Sequence, residues 1–283
     1  MKNAILYRAR RVSPIAQREI DRLSRELPDF AIFVVCFQPE YESARDSEPG
    51  RVYCYGQRDL HSLPYPGKLC RVDWDDPTSR PPAETGNGKF FRTMEPGQHD
   101  LAIMRFFLDH PDFDRYWLIE DDVRCSGPWT DIIDELAQSK ADLLMTVVQK
   151  FAQNPRWNWW NTLVTGEEAL PSRRRMKGFT PFCRLSAACC RAIDEKYRHG
   201  WGGHYEVSWP TIARASGLSI EDVGGNGSYT PRKRRGRFYN SSNMAWALFP
   251  GTFIFRPPFQ DTGESEFGKE ITDHTMLWHP VKE

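Results

Sequence analysis

Apolar and polar positions along the first half of the chain follow two alternating periods. Residues 3–7 read as a short strand. Ser13 offers an N-cap and Pro14 a first helical position. Ala16, Ile20, Leu23 and Leu27 then recur at helical spacing until Pro28 closes the segment. Residues 31–37, AIFVVCF, form a continuous apolar run suited to a strand buried on both faces. Strand, helix, strand at this spacing is a βαβ opening and predicts a parallel sheet. Residues 38–97 are broken by prolines and charges, with RVYCYG and KLCRVDW as strand candidates. From Gln98 the pattern recovers: Leu101, Met104 and Leu108 mark one helical face, widened by Ile103, Phe106 and Phe107. HPDFDRY reads as a turn, YWLI as a strand, DIIDELAQS as a helix and ADLLMTVVQ as a further strand.

Beyond residue 150 the alternation weakens. FAQNPRWNWWNTL carries a cluster of tryptophans, and PSRRRMKG is a basic loop bounded by Pro and Gly. Residues 184–197 suit a helix, HGWGGHYE a loop, 208–215 a short helix with Pro210 in its first turn, and LSIEDV a strand. PRKRRGR, residues 231–237, is a second basic loop. The expectation is an α/β chain: a Rossmann-like, mostly parallel sheet flanked by helices, with a loop-rich second half.

Composition narrows this only modestly. The 283 residues are enough for one large α/β domain or one domain with a sizeable insertion. Lys+Arg and Asp+Glu balance at 38 each, so net charge points to neither nucleic acid nor membrane. Neither basic loop has interleaved aromatics or a nucleic-acid fold signature, which argues against DNA or RNA; contact with anionic lipid or polymer is the exception they leave open. The cysteines are odd in number, seven, and lack CxxC spacing, so neither a disulfide framework nor a zinc site is expected. A short apolar N-terminal run and the lack of any membrane-length window predict a cytoplasmic protein, with the inner face of a membrane as the alternative.

The chemistry concentrates in YWLIEDDVRCSG, residues 116–127. Glu120, Asp121 and Asp122 end an apolar strand, where adjacent carboxylates repel and resist burial unless a cation sits among them. In an open α/β sheet, ligands bind outside the carboxyl ends of the strands. Mg²⁺ or Mn²⁺ takes carboxylate oxygens together with substrate phosphates, so the position suits a metal-bound diphosphate; a solvated acidic turn is the plain alternative.

A strand ending in EDD and followed by a small-residue turn resembles the DxD-type motif of GT-A-fold glycosyltransferases. The resemblance implies a GT-A-like single domain over 1–283, with a nucleotide-sugar half at 1–150 and an acceptor half plus metal and diphosphate tail at 151–283. It implies Asp122 as metal ligand and Glu120 and Asp121 on the ribose, the sugar or metal-bound water. Tyr7, Arg8 and Arg11 would lie near the base and phosphates. HGWGGHYE, residues 199–206, is similar to the W-G-x-G-G-E/D turn of inverting galactosyltransferases, although His204 and Tyr205 separate glycines from acid; on that likeness Glu206 is the base. The ending LWHPVK resembles tails of bacterial and fungal glycosyltransferase-like proteins, implying His279 as a further metal ligand and Lys282 on the leaving diphosphate. His274 competes with His279.

The implied activity is transfer of a sugar from a nucleotide-diphosphate donor, a UDP-sugar foremost, to a saccharide or other hydroxyl acceptor, with inversion, as in polysaccharide biosynthesis. The rivals are a metal-dependent phosphohydrolase or nucleotidyltransferase on the same carboxylates, and a non-catalytic carbohydrate-binding protein. DWDD, residues 73–76, is a second-ranked DxD. Asp100 reads as a cap or first-turn acid, with donor contact as the other reading. RWNWW suits either sugar stacking or packing.

Overall fold

The computed structural model describes residues 1–9, 11–37, 45–47, 52–56, 59–60, 62–68, 99–241, 251–255, 258–260 and 274–282. DWDD at 73–76 and most of KLCRVDW lie outside the described residues. The chain opens with β1 (Asn3–Arg8), α1 (Pro14–Glu26) and β2 (Ala31–Phe37). β3 (Arg45–Ser47) and β4 (Val52–Tyr55) precede α2 (His99–Asp109) and β5 (Arg115–Glu120). The short β6 (Arg124–Cys125) leads to α3 (Trp129–Ala137) and β7 (Leu143–Lys150). Next come β8 (Val164–Thr165), β9 (Met176–Ser186), α4 (Ala187–Arg198) and β10 (Trp201–Gly202). α5 (Tyr205–Ala215) and β11 (Ile220–Asp222) follow. The two-residue strands β12 (Phe259–Gln260), β13 (Leu277–Trp278) and β14 (Val281–Lys282) lie near the end.

The main sheet has eight strands in the order β11-β7-β9-β5-β1-β2-β4-β3. Only β9, inserted between β5 and β7, and the edge strand β3 run against the others, so the sheet is mostly parallel as expected. The period-2 rule explains why its central strands read as unbroken apolar runs. On β1, Ala4 and Leu6 enter one core while Ile5 and Tyr7 enter the other; on β5, Tyr116 and Leu118 oppose Trp117 and Ile119. Helices α2, α4 and α5 cover the first face, and α1 and α3 the second. The start of α1 follows its sequence signals: Ser13 Oγ accepts from the Ala16 amide at 3.1 Å, and Pro14 opens the helix.

The second half holds two departures from the sequence reading. Residues 184–186, expected in a helix, belong to β9, and α4 begins at Ala187 with Ser186 Oγ accepting from the Cys189 amide at 3.0 Å. The polar interruptions in β9 concealed it. Arg184, for one, is buried and donates to the carbonyls of Leu136, Ser139 and Ala141, closing the end of α3. Helix α5 begins three residues before the expected Ser208, because the His204 imidazole caps it; Pro210 therefore sits inside the helix. Within the basic loop 231–237, Arg234 is buried against Glu221, while its neighbours Arg232, Lys233 and Arg235 are exposed. The described cysteines are all free and buried, as small core residues. Among the described residues, no helix is long and apolar enough to cross a membrane.

Candidate active site

Strand β5 lies between β1 and β9, and its Tyr116–Ile119 side chains are fully buried, so the strand ends by delivering Glu120 at the sheet's carboxyl edge. The chain then turns, with the Val123 amide donating to the Glu120 carbonyl at 3.0 Å and the Asp121 amide to the Arg8 carbonyl at 2.9 Å. The C-terminal segment returns beside this turn. Leu277 and Trp278 of β13 pair with Cys125 and Arg124 of β6, and the Val281 amide donates to the Asp122 carbonyl at 2.8 Å. On its other side, the His279 amide donates to the Thr252 carbonyl at 3.0 Å. Residues remote in sequence are thereby fixed together: ligand atoms of Glu120, Asp122 and His279 all lie within 4.8 Å of one another.

The hydrogen bonds define what this trio can accept. His279 Nδ1 donates to the Ile254 carbonyl at 2.7 Å, so Nε2 is a lone pair if the ring carries one proton and a second donor if it carries two. Nε2 stands 3.3 Å from Asp122 Oδ1, a buried oxygen with no hydrogen-bond partner among the described residues. With the ring in its one-proton form, these are two acceptors, and at that distance they call for a positive charge between or beside them. Carboxylate oxygens plus one imidazole nitrogen suit Mn²⁺ or Mg²⁺, so the residues fit the expected metal. Burial opposes ionisation of Asp122, but Lys282 together with a protonated His279 outweighs it and holds the carboxyl well below its usual range. Lys282 reaches Asp122 Oδ2 directly. Burial pushes Glu120 up, with Arg8 opposing it and Asp122 reinforcing it.

A second carboxyl lies elsewhere on the same cleft. The turn before α5 is set by glycines: Gly203 has φ +104°, and a Cβ at Gly202 would collide with the Gly67 carbonyl. Lys68, ion-paired with buried Asp100, also donates to the Gly203 carbonyl at 2.7 Å. Asp100 is thus a first-turn acid held by Lys68 and by the Tyr197 hydroxyl at 3.1 Å. His204 Nδ1 accepts from the Glu206 amide at 3.2 Å, and burial with the Lys68 charge keeps the imidazole neutral, its pKa down at about 3. Glu206 itself is buried in the first turn of α5. Burial pushes its pKa up to about 8, with Lys177 opposing and Glu120 adding to the rise.

A cleft of about 780 Å³ unites the two regions, lined by Glu120, Asp122, His279 and Lys282 as well as Glu206. Of the sequence-predicted residues, these five meet there. Tyr7 is fully buried in the sheet's core, Arg8 is paired in register with Glu120, Asp121 is half-buried on the turn and Arg11 is exposed; none is among the described residues lining the cleft. His274 is exposed and is not among the described residues lining the cleft. Trp157 and Trp159 face the cleft while Trp160 is buried in packing. Sequence reasoning missed Gln149, Lys177 and His204, which also line it. Only the β7–β9 register, Gln149 opposite Lys177, reveals the first two as neighbours.

One wall is built under strain. Val147 has φ 50°, a left-handed conformation costly for a β-branched residue, at an irregularity in the β7–β9 pairing. Its amide donates to the Tyr239 hydroxyl at 2.6 Å, and that hydroxyl donates to buried Asp222 Oδ2 at 2.7 Å. Asp222 also accepts from the amides of Val148, Gly224 and Gly225, so the bulge is held from several sides.

No family model and no curated protein sequence matches the chain. Among solved structures, the galactosyltransferase LgtC in complex with donor and acceptor sugar analogues aligns over 78% of this chain and 74% of its own, at 8% identity and TM-score 0.40. An active-site mutant of LgtC aligns over the same shares at 9% identity and TM-score 0.36. At these values the likeness carries no argument about the site, which rests on its own geometry.

Proposed function

We propose that the chain is a metal-dependent glycosyltransferase of GT-A type, acting with inversion on a nucleotide-sugar donor, with a UDP-sugar the leading candidate. The observation that carries this reading is a single cleft with a cation-seeking trio, Glu120–Asp122–His279, in one part and a buried carboxyl of raised pKa, Glu206, in another. A divalent cation bound by the trio supplies positive charge for a diphosphate. Lys282, already on Asp122, brings an ammonium to the same region and offsets charge on the departing diphosphate. Glu206 takes the proton of the acceptor hydroxyl at a carboxylate oxygen. The acceptor oxygen forms its bond to the anomeric carbon as the bond from that carbon to the diphosphate oxygen breaks, and the electron pair leaves with the nucleotide diphosphate. A base whose pKa lies near the working pH combines useful population with strong proton affinity, which is what burial of Glu206 achieves.

Arg8, beside Glu120, is close enough to influence that carboxyl, and in this reading it tunes the metal region. The test is a thermal-shift panel of nucleotide-sugars with and without Mn²⁺, followed by product analysis for the responding donor. A Mn²⁺-dependent shift and a glycosylated product are expected. Release of phosphate or nucleotide without sugar transfer would favour a phosphohydrolase or nucleotidyltransferase, and binding indifferent to Mn²⁺ and to Asp122 would favour a carbohydrate-binding protein.

A further inference from the structure

Among the described residues lining the cleft, one lysine is without a hydrogen-bond or ion-pair partner. Among the described residues, the Lys177 ammonium makes no hydrogen bond or ion pair, and its contact is the face of Trp157, 4.6 Å from the ring centroid. Burial lowers its pKa, and of the cleft's acids it is Glu206, rather than Glu120 or Asp122, whose charge acts on it. Lys177 therefore belongs to the Glu206 region rather than to the trio. Directly across the β7–β9 pairing, Gln149 Oε1 is buried and has no hydrogen-bond partner among the described residues. The adjacent wall is aromatic: Trp159 lies 4.0 Å from the His204 ring centroid, and His204 stacks on Tyr205 at 4.8 Å. All of these side chains line the cleft.

Each unsatisfied group specifies part of a ligand. Flat aromatic faces suit the C–H faces of a sugar ring, and an ammonium over an indole remains available to an anion on its other side. A buried oxygen without a donor is costly, and a sugar hydroxyl satisfies it. The surrounding sequence has the same sign. Residues 149–177 contain Lys150, Arg156, Arg173, Arg174, Arg175 and Lys177 against Glu167 and Glu168, six minus two, or +4. Glu168 is already paired with Lys196. Arg156, immediately before Trp157, is exposed, as are Arg173 and Arg174 on the segment whose Arg175 carbonyl accepts from the Phe151 amide.

We propose that this region is a subsite for an anionic saccharide acceptor: Trp157 and Trp159 hold the sugar ring, Lys177 pairs with its carboxylate or phosphate, and Gln149 accepts from a hydroxyl. As an acceptor assignment it rests on the glycosyltransferase reading; as a binding site it stands on the residues themselves. Its chemistry places the substrate downstream of a reaction that makes a uronic acid or a sugar phosphate.

Titration calorimetry on the full chain, without added divalent cation, tests it. The probes are a neutral disaccharide, its hexuronate counterpart, a disaccharide phosphate and inorganic phosphate. One of the two charged disaccharides is expected to bind at least about tenfold tighter than the neutral one, the worth of one charge-assisted hydrogen bond, and which one it is identifies the anion. Lys177→Gln should reduce that affinity to the neutral level, and Lys177→Arg should retain most of it. Equal affinity for neutral and charged disaccharides, survival of the preference in Lys177→Gln, or inorganic phosphate binding as tightly as the disaccharide phosphate would each overturn the subsite. Parallel nucleotide-sugar titrations with Mn²⁺ separate the two ideas. Lys177-dependent binding of the charged disaccharide with no donor binding leaves the subsite and removes the glycosyltransferase reading. Sugar transfer to neutral acceptors with no charged-ligand preference does the reverse. Retained Mn²⁺-dependent donor binding in Lys177→Gln shows that the variant is folded.

Discussion

Asp122 and Glu206 are both buried carboxyls on one cleft, yet their surroundings drive them in opposite directions. Asp122 has Lys282 in direct contact and His279 Nε2 at 3.3 Å, and it stays ionised far below the usual range. Glu206 has Lys177 acting on it without an ion pair and Glu120 working against it, and it is pushed up to about 8. Burial raises both; the difference is what else has been placed nearby. In the proposed reading, one region is thereby kept negative to hold a cation, and the other is poised to exchange a proton. The aromatic wall beside Glu206, with a lysine that makes no ion pair among the described residues, extends the contrast: under the two proposals one part of the cleft takes a cation and another an anion.

The comparison breaks most completely at Asp122. Asp122→Ala should remove Mn²⁺-dependent stabilisation by nucleotide-sugars and lower kcat/KM by on the order of 10³-fold, the several kcal/mol that metal charge stabilisation supplies. Near-normal turnover with intact Mn²⁺ dependence would remove the metal assignment. Glu206→Gln should spare donor affinity and lower kcat by roughly 10²–10⁴-fold, the range of general-base catalysis. The pH profile sharpens the contrast. Wild-type kcat/KM should rise about tenfold per pH unit below pH 8 and level off above it, as a single ionising base requires, whereas Glu206→Gln should be flat over that range. Stability moves oppositely. The folded pKa of Glu206 is raised from 4.5 to about 8, so the stability contributed by its neutral form is complete below pH 4.5 and lost as pH rises through 8. The melting temperature of Glu206→Gln, measured without metal, should therefore gain on wild type progressively from pH 5 to pH 8.5.

A third perturbation acts on one side only. Lys68 joins buried Asp100 to the Gly203 carbonyl, and with them the turn that launches α5. Lys68→Met should cost about 3–5 kcal/mol in denaturant unfolding, the usual result of stranding a buried charge. It should also raise KM for acceptor while leaving Mn²⁺ affinity within a few fold. Equal losses in both would mean that the cleft responds as one rigid unit.

How much of this was readable from the chain depended on distance in sequence. β1, α1 and β2 follow local rules, with Ser13 and Pro14 marking the helix start and alternate residues entering two cores. Glu120 and Asp122 stand out because acids directly after a buried strand conflict with their own neighbours. The residues that meet these acids, His279 and Lys282, lie some 160 residues away and arrive through β13 pairing with β6. Lys177 gives no such local signal: on an isolated strand it is an ordinary surface lysine. It acquires meaning only when β9 inserts antiparallel beside β7 and places it opposite Gln149. The start of helix α5 departs from the sequence pattern for a related reason, since a histidine cap lies outside the Ser/Thr/Asp/Asn rule that locates helix starts.

The smallest expected effect tests whether the cleft's wall matters to both regions. Val147 holds a left-handed backbone that its β-branched side chain disfavours, and the Tyr239 hydroxyl is the group that accepts its amide. Removing that oxygen in Tyr239→Phe leaves the ring in place but strands the Val147 amide, and takes one donor from Asp222, which retains the Val148, Gly224 and Gly225 amides. The loss should be about 1–2 kcal/mol in denaturant unfolding, a single buried hydrogen bond. Relief of the strained conformation should recover part of it, because β7 can relax toward regular pairing with β9. Relaxation would turn Val147 and shift Gln149, two residues along, so acceptor affinity should weaken a few fold while Mn²⁺ affinity at Asp122 stays unchanged. If stability falls by the full amount and both affinities hold, the bulge is a structural accommodation of the Asp222 network, and the contrast between the two regions owes nothing to strain in the wall they share.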